Sequence, residues 1–214
     1  VEMFQAAADG EIKALWIACT NPAQSLPDQK TARRALERAE FVVVQEAFAT
    51  TATSTYADLL LPAAAWGEKD GTVTNSERRI SRVRAAVPPP GEAHQDWAIA
   101  RNFARRLEGL LHPRRDTLFP YDSAEAVWNE HRESTRGRDL DITGLSYARL
   151  DEAPAQWPFP TGATEGRARL YADGIFPTAD GRAAFDDPPY TPSAEPRGAP
   201  YPFSLNTRRL PRQG

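Results

Sequence analysis

Five polar side chains lie at or shortly after the ends of apolar runs in this sequence. Asn21 comes after the first run, Gln45 and Glu46 close the second, Lys69 lies in a charged loop after the third, and Asp96 opens a helical pattern. In an open parallel sheet the carboxyl ends of the strands share one edge, and ligands bind at that edge. These side chains are therefore expected to act together as binding groups.

A purine nucleotide is a ligand that such groups could hold. A carboxylate such as Glu46 accepts hydrogen bonds from guanine N–H groups or from a ribose hydroxyl. Lys69, one of only three lysines in the chain, offers a point charge to a pyrophosphate. Asn21 carries a donor and an acceptor, which suits a bridge between base and sugar. Each residue taken singly also fits a simpler role, because polar loop residues commonly cap turns.

Alternating strands and helices must position these groups. Apolar runs at 15–18, 41–44 and 59–61 predict strands that are covered on both faces, and successive crossover units predict that the strands are parallel. Apolar residues at helical spacing indicate helices elsewhere. The predicted helices are 30–40, 93–107 and 123–132. The pattern predicts an α/β fold, with a Rossmann-like parallel sheet as the middle of three layers and helices on both of its faces.

The sequence after His112 has a looser pattern. Residues 134–166 are rich in Arg, Asp, Gly and Pro and are expected to be mostly loop. Further on, Asp180-Gly181 predicts a tight turn between two hairpin strands, 167–171 and 182–185.

The last segments predict a connection and the beginning of another domain. Residues 186–200 hold many of the 19 prolines and read as a linker. Residues 201–207 predict a strand, and since a strand without partners is not stable, we expect it to be the first strand of a truncated β-barrel domain. The predicted division is 1–150 for the α/β domain, 151–200 for an irregular connection with a hairpin, and 201–214 for the truncated domain.

Composition excludes several classes of protein. The 214 residues carry a net charge of -3, which argues against a general nucleic-acid binder. No segment approaches the roughly 18 consecutive apolar residues of a membrane span. The one cysteine excludes an internal disulfide and any multi-cysteine metal site. Cys19 ends an apolar run, so we expect a buried, inert thiol.

Motifs for catalysis are absent from the sequence. No Gly-rich dinucleotide fingerprint, phosphate loop, zinc-protease motif or nucleophile elbow occurs, and the three histidines stand far apart. We therefore predict no catalytic residue and no metal ligand in this chain. A group of alternating arginines suits a polar strand or a salt-bridge face better than a site that steers an anion. These are Arg78, Arg79, Arg82 and Arg84.

The order of several short segments carries a family resemblance. They are 20–23, 42–46, 56–63, 66–71, 74–79, 90–93 and 96–97. Together they resemble the third domain of molybdopterin oxidoreductases of the dimethyl sulfoxide reductase family, and within that family bacterial assimilatory nitrate reductases most. The resemblance covers nearly the whole chain, because 176–185 and 201–207 resemble the segments that lead into the family's C-terminal barrel.

The resemblance implies a specific ligand. In that family the third domain holds the guanosine end of a molybdopterin guanine dinucleotide, and motif positions place the contacts on side chains of this chain. The implied cofactor-binding residues are Asn21, Gln45, Glu46, Lys69, Asp96 and Thr207. After Thr207 the family usually continues with Gly-Arg, whereas this chain has Arg208-Arg209.

For a whole enzyme the resemblance implies reduction of nitrate to nitrite. The implied cofactors are molybdenum bis(molybdopterin guanine dinucleotide) and a [4Fe-4S] cluster, whose ligands would lie outside this chain; Cys19 matches none of the family's ligating cysteines. An electron donor protein or reductase subunit is implied as partner, with neither nucleic acid nor a membrane segment, in the cytoplasm. Formate dehydrogenase and periplasmic nitrate reductase remain alternatives, as does a non-catalytic nucleotide-binding module.

Overall fold

The computed structural model describes residues 1–113, 115–193 and 195–205. It separates into a first compact unit, Val1–Leu170, and a second that begins at Tyr171. The first unit contains a parallel sheet of three strands, in the order β1-β2-β3. The strands are β1 (Ala14–Ala18), β2 (Phe41–Glu46) and β3 (Leu59–Pro62). The predicted α/β class is confirmed.

One face of this sheet packs on three helices. They are α1 (Glu2–Asp9), α2 (Pro22–Ser25) and α3 (Gln29–Arg38). Leu15 and Ile17 of β1 lie opposite Val42 and Val44 of β2, and all four side chains are buried against α1 and α3. The start of α3 is fixed by Asp28, whose side chain accepts a hydrogen bond from the backbone N–H of Thr31 as an N-cap.

The other face packs on a single long helix, α4 (Asp96–Leu111). Ile99 is buried there, and the Phe103 ring meets the Trp16 ring edge to face, with centroids 4.9 Å apart. A parallel bridge between Ala63 and His94 brings the chain back beside β3 just before the helix. The helix α4 therefore begins at the edge where the strands end.

A second sheet completes the first unit. It contains β4 (Gly71–Thr74), β5 (Arg79–Val83) and β6 (Ala155–Gln156), all antiparallel. Around it lie α5 (Ala124–Ser134) and α6 (Tyr147–Glu152), and they share one core with it. The buried members of that core are Ile80, Trp128, Ile142, Leu145, Tyr147, Leu150, Ala155 and Phe159.

The prediction that 134–166 is mostly loop is confirmed, but its middle part also contains a short helix and a short strand that were not predicted. The Ser146 hydroxyl accepts a hydrogen bond from the N–H of Arg149 and caps α6, which buries Tyr147 and Leu150. The segment then adds β6 to the edge of β5. Its apolar residues are too sparse for a clear period, so its order depends on contacts made by tertiary packing. The short helix α1 was not predicted either.

The second unit carries a turn where one was expected. The N–H of Gly181 donates to the carbonyl of Thr178 over 3.1 Å, and Phe176 donates to the Gly181 carbonyl over 3.0 Å, but the flanking residues form no strands. Through Leu205, the predicted strand 201–207 shows one bridge, from Tyr201 to Gly198. The remaining predicted residues, including Thr207, lie outside the described residues.

Candidate functional site

The carboxyl ends of the strands lie side by side and form the candidate site. Cys19 follows β1, Glu46 ends β2, and Gln45 stands opposite the last residue of β1. Because α4 begins at the same edge, Asp96 is carried to it as the first residue of that helix. We call Cys19, Gln45, Lys69 and Asp96 the edge cluster.

Asp96 joins the members of the edge cluster. Its Oδ1 accepts a hydrogen bond from Nε2 of Gln45 over 2.8 Å, and its Oδ2 lies 3.0 Å from Nζ of Lys69. The thiol of Cys19 donates to Oδ1 over 3.5 Å. The structure thus brings together three of the side chains that the sequence predicted as binding groups, namely Gln45, Lys69 and Asp96.

Asp96 is held as a carboxylate. Partial burial by itself raises the pKa of its carboxyl group, but hydrogen bonds from Gln45 and Lys69 and the positive charge of Lys69 lower the pKa below its ordinary value. The side chains of Lys69 and Asp96 are 26% and 31% exposed, so the pair is less screened by water than a surface ion pair. A ligand with N–H donors would have to compete with Gln45, Cys19 and Lys69 for the two acceptor oxygens of Asp96.

Lys69 is positioned by the loop between the two sheets. A 3₁₀ turn, Trp66–Glu68, precedes it, and the Glu68 carboxylate accepts from the N–H of Ala65 over 2.8 Å. The ammonium lies 5.4 Å from the centre of the Trp66 ring. The next residue, Asp70, pairs with Arg82 of β5 over 3.0 Å. Both neighbours of Lys69 are thus tied to the protein, which limits where the ammonium can reach.

Asn21 lies two residues after Cys19 and faces a buried threonine. Its Oδ1 accepts hydrogen bonds from the N–H and the hydroxyl of Thr53, over 3.1 and 2.6 Å. The Thr53 hydroxyl in turn accepts from the N–H of Ala23 over 3.1 Å. On the other side, Nδ2 of Asn21 donates to Gln24 over 2.9 Å. Asn21 therefore shapes the turn after β1, and no contact joins it to Asp96.

Glu46 folds over its own loop. One carboxylate oxygen accepts from the N–H groups of Ala47 and Phe48, over 2.8 and 3.3 Å. Its charge also contributes to raising the pKa of the Cys19 thiol, so it lies near the edge cluster without bonding to Asp96. A carboxylate that caps a loop in this way keeps a second oxygen for another donor.

Cys19 is exposed, so the prediction of a buried thiol was wrong. It lies one residue past the strand, with a φ of 58°, in the left-handed region that non-glycine residues adopt infrequently. Partial burial raises the pKa of its thiol, and the charge of Asp96 and the hydrogen bond to it raise the pKa further. The position of Cys19 directly after a predicted strand is the sequence feature that could have placed it in the edge cluster.

The arginines of β5 and the turn before it are engaged within the protein. Arg78, with a φ of 71°, donates to the carbonyls of Trp157, Arg167 and Ala168. Arg82 pairs with Asp151 over 3.1 Å as well as with Asp70. This arrangement agrees with the preferred interpretation of the arginine group as a salt-bridge face.

Residues 1–106 match the family model described as "Molybdopterin oxidoreductase". These residues belong to the molybdopterin oxidoreductase family. The matched stretch includes the parallel sheet, Lys69 and Asp96, so the edge cluster lies inside the molybdopterin oxidoreductase domain. The family resemblance found in the sequence is confirmed.

Curated relatives of this chain include enzymes for different substrates. A nitrate reductase of Synechocystis sp. is 40% identical over 98% of the chain and 29% of the relative. The assimilatory nitrate reductase catalytic subunit of Bacillus subtilis is 38% identical, with the same coverage. The F420-dependent formate dehydrogenase subunit alpha of Methanocaldococcus jannaschii is 39% identical over 93% of the chain and 28% of its own length. The chain thus spans less than a third of these relatives.

The fold also matches a solved structure. Acetylene hydratase from Pelobacter acetylenicus superposes with a TM-score of 0.60 at 21% identity, over 84% of this chain and 23% of that chain. At this identity the likeness concerns the fold. Among the helices that the structure describes, none is long and apolar enough to cross a membrane.

Proposed function

We propose that this chain is part of a molybdopterin-dependent enzyme that reduces nitrate to nitrite, and that its edge cluster holds the guanosine end of a molybdopterin guanine dinucleotide. The single observation that carries the assignment of the site is the convergence of Gln45, Lys69 and Asp96 at the carboxyl edge of a parallel sheet, the place where open α/β folds bind nucleotides. The names of the relatives support nitrate as the substrate.

The donors and acceptors of the edge cluster fit a guanine base. Guanine presents adjacent N–H donors beside a carbonyl oxygen, and the Asp96 carboxylate offers two acceptor oxygens that now receive Gln45 and Lys69. On binding, the base would take over these acceptors. The amide of Gln45 would then be free to donate to the carbonyl oxygen of the base, since an amide carries donors as well as an acceptor.

The charged groups fit the rest of the nucleotide. Lys69, once released from Asp96, supplies a positive charge to the pyrophosphate. Glu46, whose second oxygen is open to another donor, accepts from a ribose hydroxyl. Asn21 contributes by fixing the turn after β1 through Thr53. The bound cofactor supplies the oxygen-atom transfer chemistry, while these residues place and hold it.

The rest of the enzyme completes this proposal. A [4Fe-4S] cluster and a site for the electron donor protein or reductase subunit would lie outside residues 1–214. The formate dehydrogenase relative gives formate oxidation as the second candidate function, because residues that hold the nucleotide do not select the substrate at the metal. Assays of the complete enzyme with nitrate and a reduced viologen, and with formate and an oxidised dye, separate the two reactions.

The experiment for the site measures the bound nucleotide directly. The complete enzyme is purified as wild type, as Asp96→Asn and as the control Asp9→Asn, which alters an exposed carboxylate that pairs with Arg34. Guanine nucleotide released by acid and molybdenum are quantified per chain. Asp96→Asn should lose at least about tenfold in nucleotide affinity, since a hydrogen bond to a charged group is worth about 1.5–3 kcal/mol and about 1.4 kcal/mol corresponds to tenfold.

The control should retain the wild-type content. Wild-type guanine content in Asp96→Asn, after dilution and gel filtration, would overturn the assignment of the edge cluster. Loss of guanine content in the control as well would trace the effect to general instability.

A further inference from the structure

Arg82, on strand β5 of the second sheet, is anchored to the helix α6. Its side chain is only 9% exposed, and its guanidinium lies 3.6 Å from the centre of the Tyr147 ring, which belongs to the core around that sheet. Its Nε lies 3.1 Å from the carboxylate of Asp151. Because Tyr147 and Asp151 both lie on α6, these contacts fix the position of the guanidinium.

The same guanidinium holds the two residues that directly follow Lys69. Its Nη2 lies 3.0 Å from the Asp70 carboxylate, and its Nη1 donates to the Gly71 carbonyl over 2.6 Å. In the ladder between β4 and β5 the backbone partner of Arg82 is Thr72, so the side chain reaches past that partner to the start of β4. Arg82 thereby ties the loop that carries Lys69 to the second sheet.

This contact determines the side to which Lys69 points. The backbone at Lys69 is extended, with a φ of -130° and a ψ of 157°, and successive side chains of an extended chain point to opposite sides. The Asp70 side chain is directed to Arg82. The Lys69 side chain is directed the other way, and its ammonium lies 3.0 Å from the carboxylate of Asp96.

The ion pair of Asp70 with Arg82 also engages a negative charge that adjoins Lys69. The Asp70 side chain is 41% exposed, so its carboxylate is not confined by burial. Without Arg82 it would compete with Asp96 for the Lys69 ammonium, since opposite charges a few ångströms apart attract each other. Arg82 therefore acts on Lys69 twice, by orienting the loop and by occupying the neighbouring carboxylate.

We propose that Arg82 is a positioning residue for the nucleotide site: by holding Asp70 and Gly71, it directs the Lys69 ammonium to Asp96 and, once the nucleotide is bound, to its pyrophosphate. This role rests on the proposed function for the identity of the ligand, and it goes beyond that function in giving a residue of the second sheet a part in binding. Arginine suits the task because its planar fork of donors bonds a carboxylate and a carbonyl together, whereas lysine offers a point charge.

The alkylation rate of Cys19 in the 214-residue protein tests the direction of Lys69 without any cofactor. The charge of Lys69 lowers the pKa of the Cys19 thiol, so this pKa rises when Lys69 leaves Asp96. Arg82→Gln should therefore slow the reaction with iodoacetamide at pH 8 by about twofold or more, because the thiolate is the reactive form. Loosening of the domain would act in the opposite direction, since burial and Asp96 raise the pKa of the thiol in the folded protein. An unchanged or faster rate in Arg82→Gln overturns the proposal.

Two further variants separate positioning from stability. Arg84→Gln removes the other arginine that contacts Asp151 and should keep the wild-type rate; equal slowing would trace the effect to Asp151 and contradict the proposal. Adding Asp70→Asn to Arg82→Gln removes the competing carboxylate and allows a neutral hydrogen bond, since amides both donate and accept. The double variant should regain most of the lost rate. A double variant as slow as Arg82→Gln would refute the action through Asp70.

Nucleotide retention in the complete enzyme tests the hold on the pyrophosphate. Arg82→Gln should lower the guanine content that survives dilution and gel filtration several-fold, and Arg84→Gln should retain it. Wild-type content in Arg82→Gln, beside a loss in Asp96→Asn, would exclude the positioning role and leave the proposed function intact. Wild-type content in Asp96→Asn would count against the proposed function instead, while the alkylation rates still report on the direction of Lys69.

Discussion

Gln45 and Asp96 meet over 2.8 Å across 51 residues of sequence, and this contact joins the end of β2 to the start of α4. Gln45 is buried, so its amide requires a partner, and Asp96 provides one. The same carboxylate receives Lys69. The Asp96 side chain thus links β2, α4 and the loop between the two sheets. A substitution of Asp96 is therefore expected to affect all three elements.

The rate at which Cys19 is alkylated should depend on the negative charge of Asp96. The pKa of the thiol is raised by partial burial and by Asp96, and the thiolate is the reactive form. Asp96→Asn removes the negative charge, so the pKa should fall and iodoacetamide should react several-fold faster at pH 8. Since Cys19 is the one cysteine of the chain, mass spectrometry of the 214-residue protein gives the rate directly. Lys69→Ala should slow the reaction, because it removes a charge that lowers the pKa.

Equal alkylation rates in wild type and Asp96→Asn would contradict this electrostatic link. The control Asp9→Asn changes a carboxylate that pairs with Arg34 instead, and it should leave the rate unchanged. A faster rate in that control would point to loosening of the whole domain.

The ionisation of Asp96 should also make the free energy of unfolding depend on pH. Because the pKa of Asp96 is lower in the folded protein than in the unfolded chain, where it is about 3.9, the stabilisation is fully present above that value. It is lost as the pH falls through the folded-state pKa. The difference in unfolding free energy between wild type and Asp96→Asn should therefore be about 1 kcal/mol at pH 6 and shrink towards pH 3. Urea unfolding at both pH values measures this difference in unfolding free energy. A difference that does not change with pH would contradict the proposed role of the Asp96 charge in stability.

Thr53 should stabilise the turn after β1. Its side chain is fully buried, and its hydroxyl serves both Asn21 and the N–H of Ala23. Thr53→Val keeps the shape but leaves a buried donor without a partner, so the free energy of unfolding should fall by about 1–3 kcal/mol. Thr53→Ser keeps the hydroxyl and should lose less. Urea unfolding at neutral pH compares them, and equal losses would assign the effect to packing.

Much of the parallel sheet could be predicted from the sequence, because each strand is a short apolar run that ends in polar residues. That rule also placed Gln45, Lys69 and Asp96 at one edge. It could not show that Asn21 is engaged by Thr53, which lies 32 residues further along the chain. Nor could it show the left-handed conformation of Cys19, since its φ of 58° depends on how the chain leaves the strand.

The second sheet was harder to predict for a physical reason. Its core joins residues from β5, α5 and the segment that ends at Phe159, and each contributes only a few apolar side chains. Local periodicity is weak when a segment is stabilised mainly by distant partners. Alternating arginines did indicate the polar strand β5, but not that Arg82 would reach across to α6.

Arg82 should be the arginine of its group that contributes most to folding. Its side chain is only 9% exposed; it pairs with Asp70 and Asp151, and its guanidinium lies 3.6 Å from the centre of the Tyr147 ring. Arg82→Ala should lower the free energy of unfolding by about 1–2 kcal/mol, a value moderated by the partial exposure of both carboxylates.

Arg84→Ala is the matched control. It removes a neighbouring arginine that contacts the same Asp151 but is 58% exposed, so it should lower the free energy of unfolding by less than about 0.5 kcal/mol. Urea unfolding of both variants at two salt concentrations checks the order. Equal losses would mean that burial and the contact with Tyr147 add nothing to the ion pair.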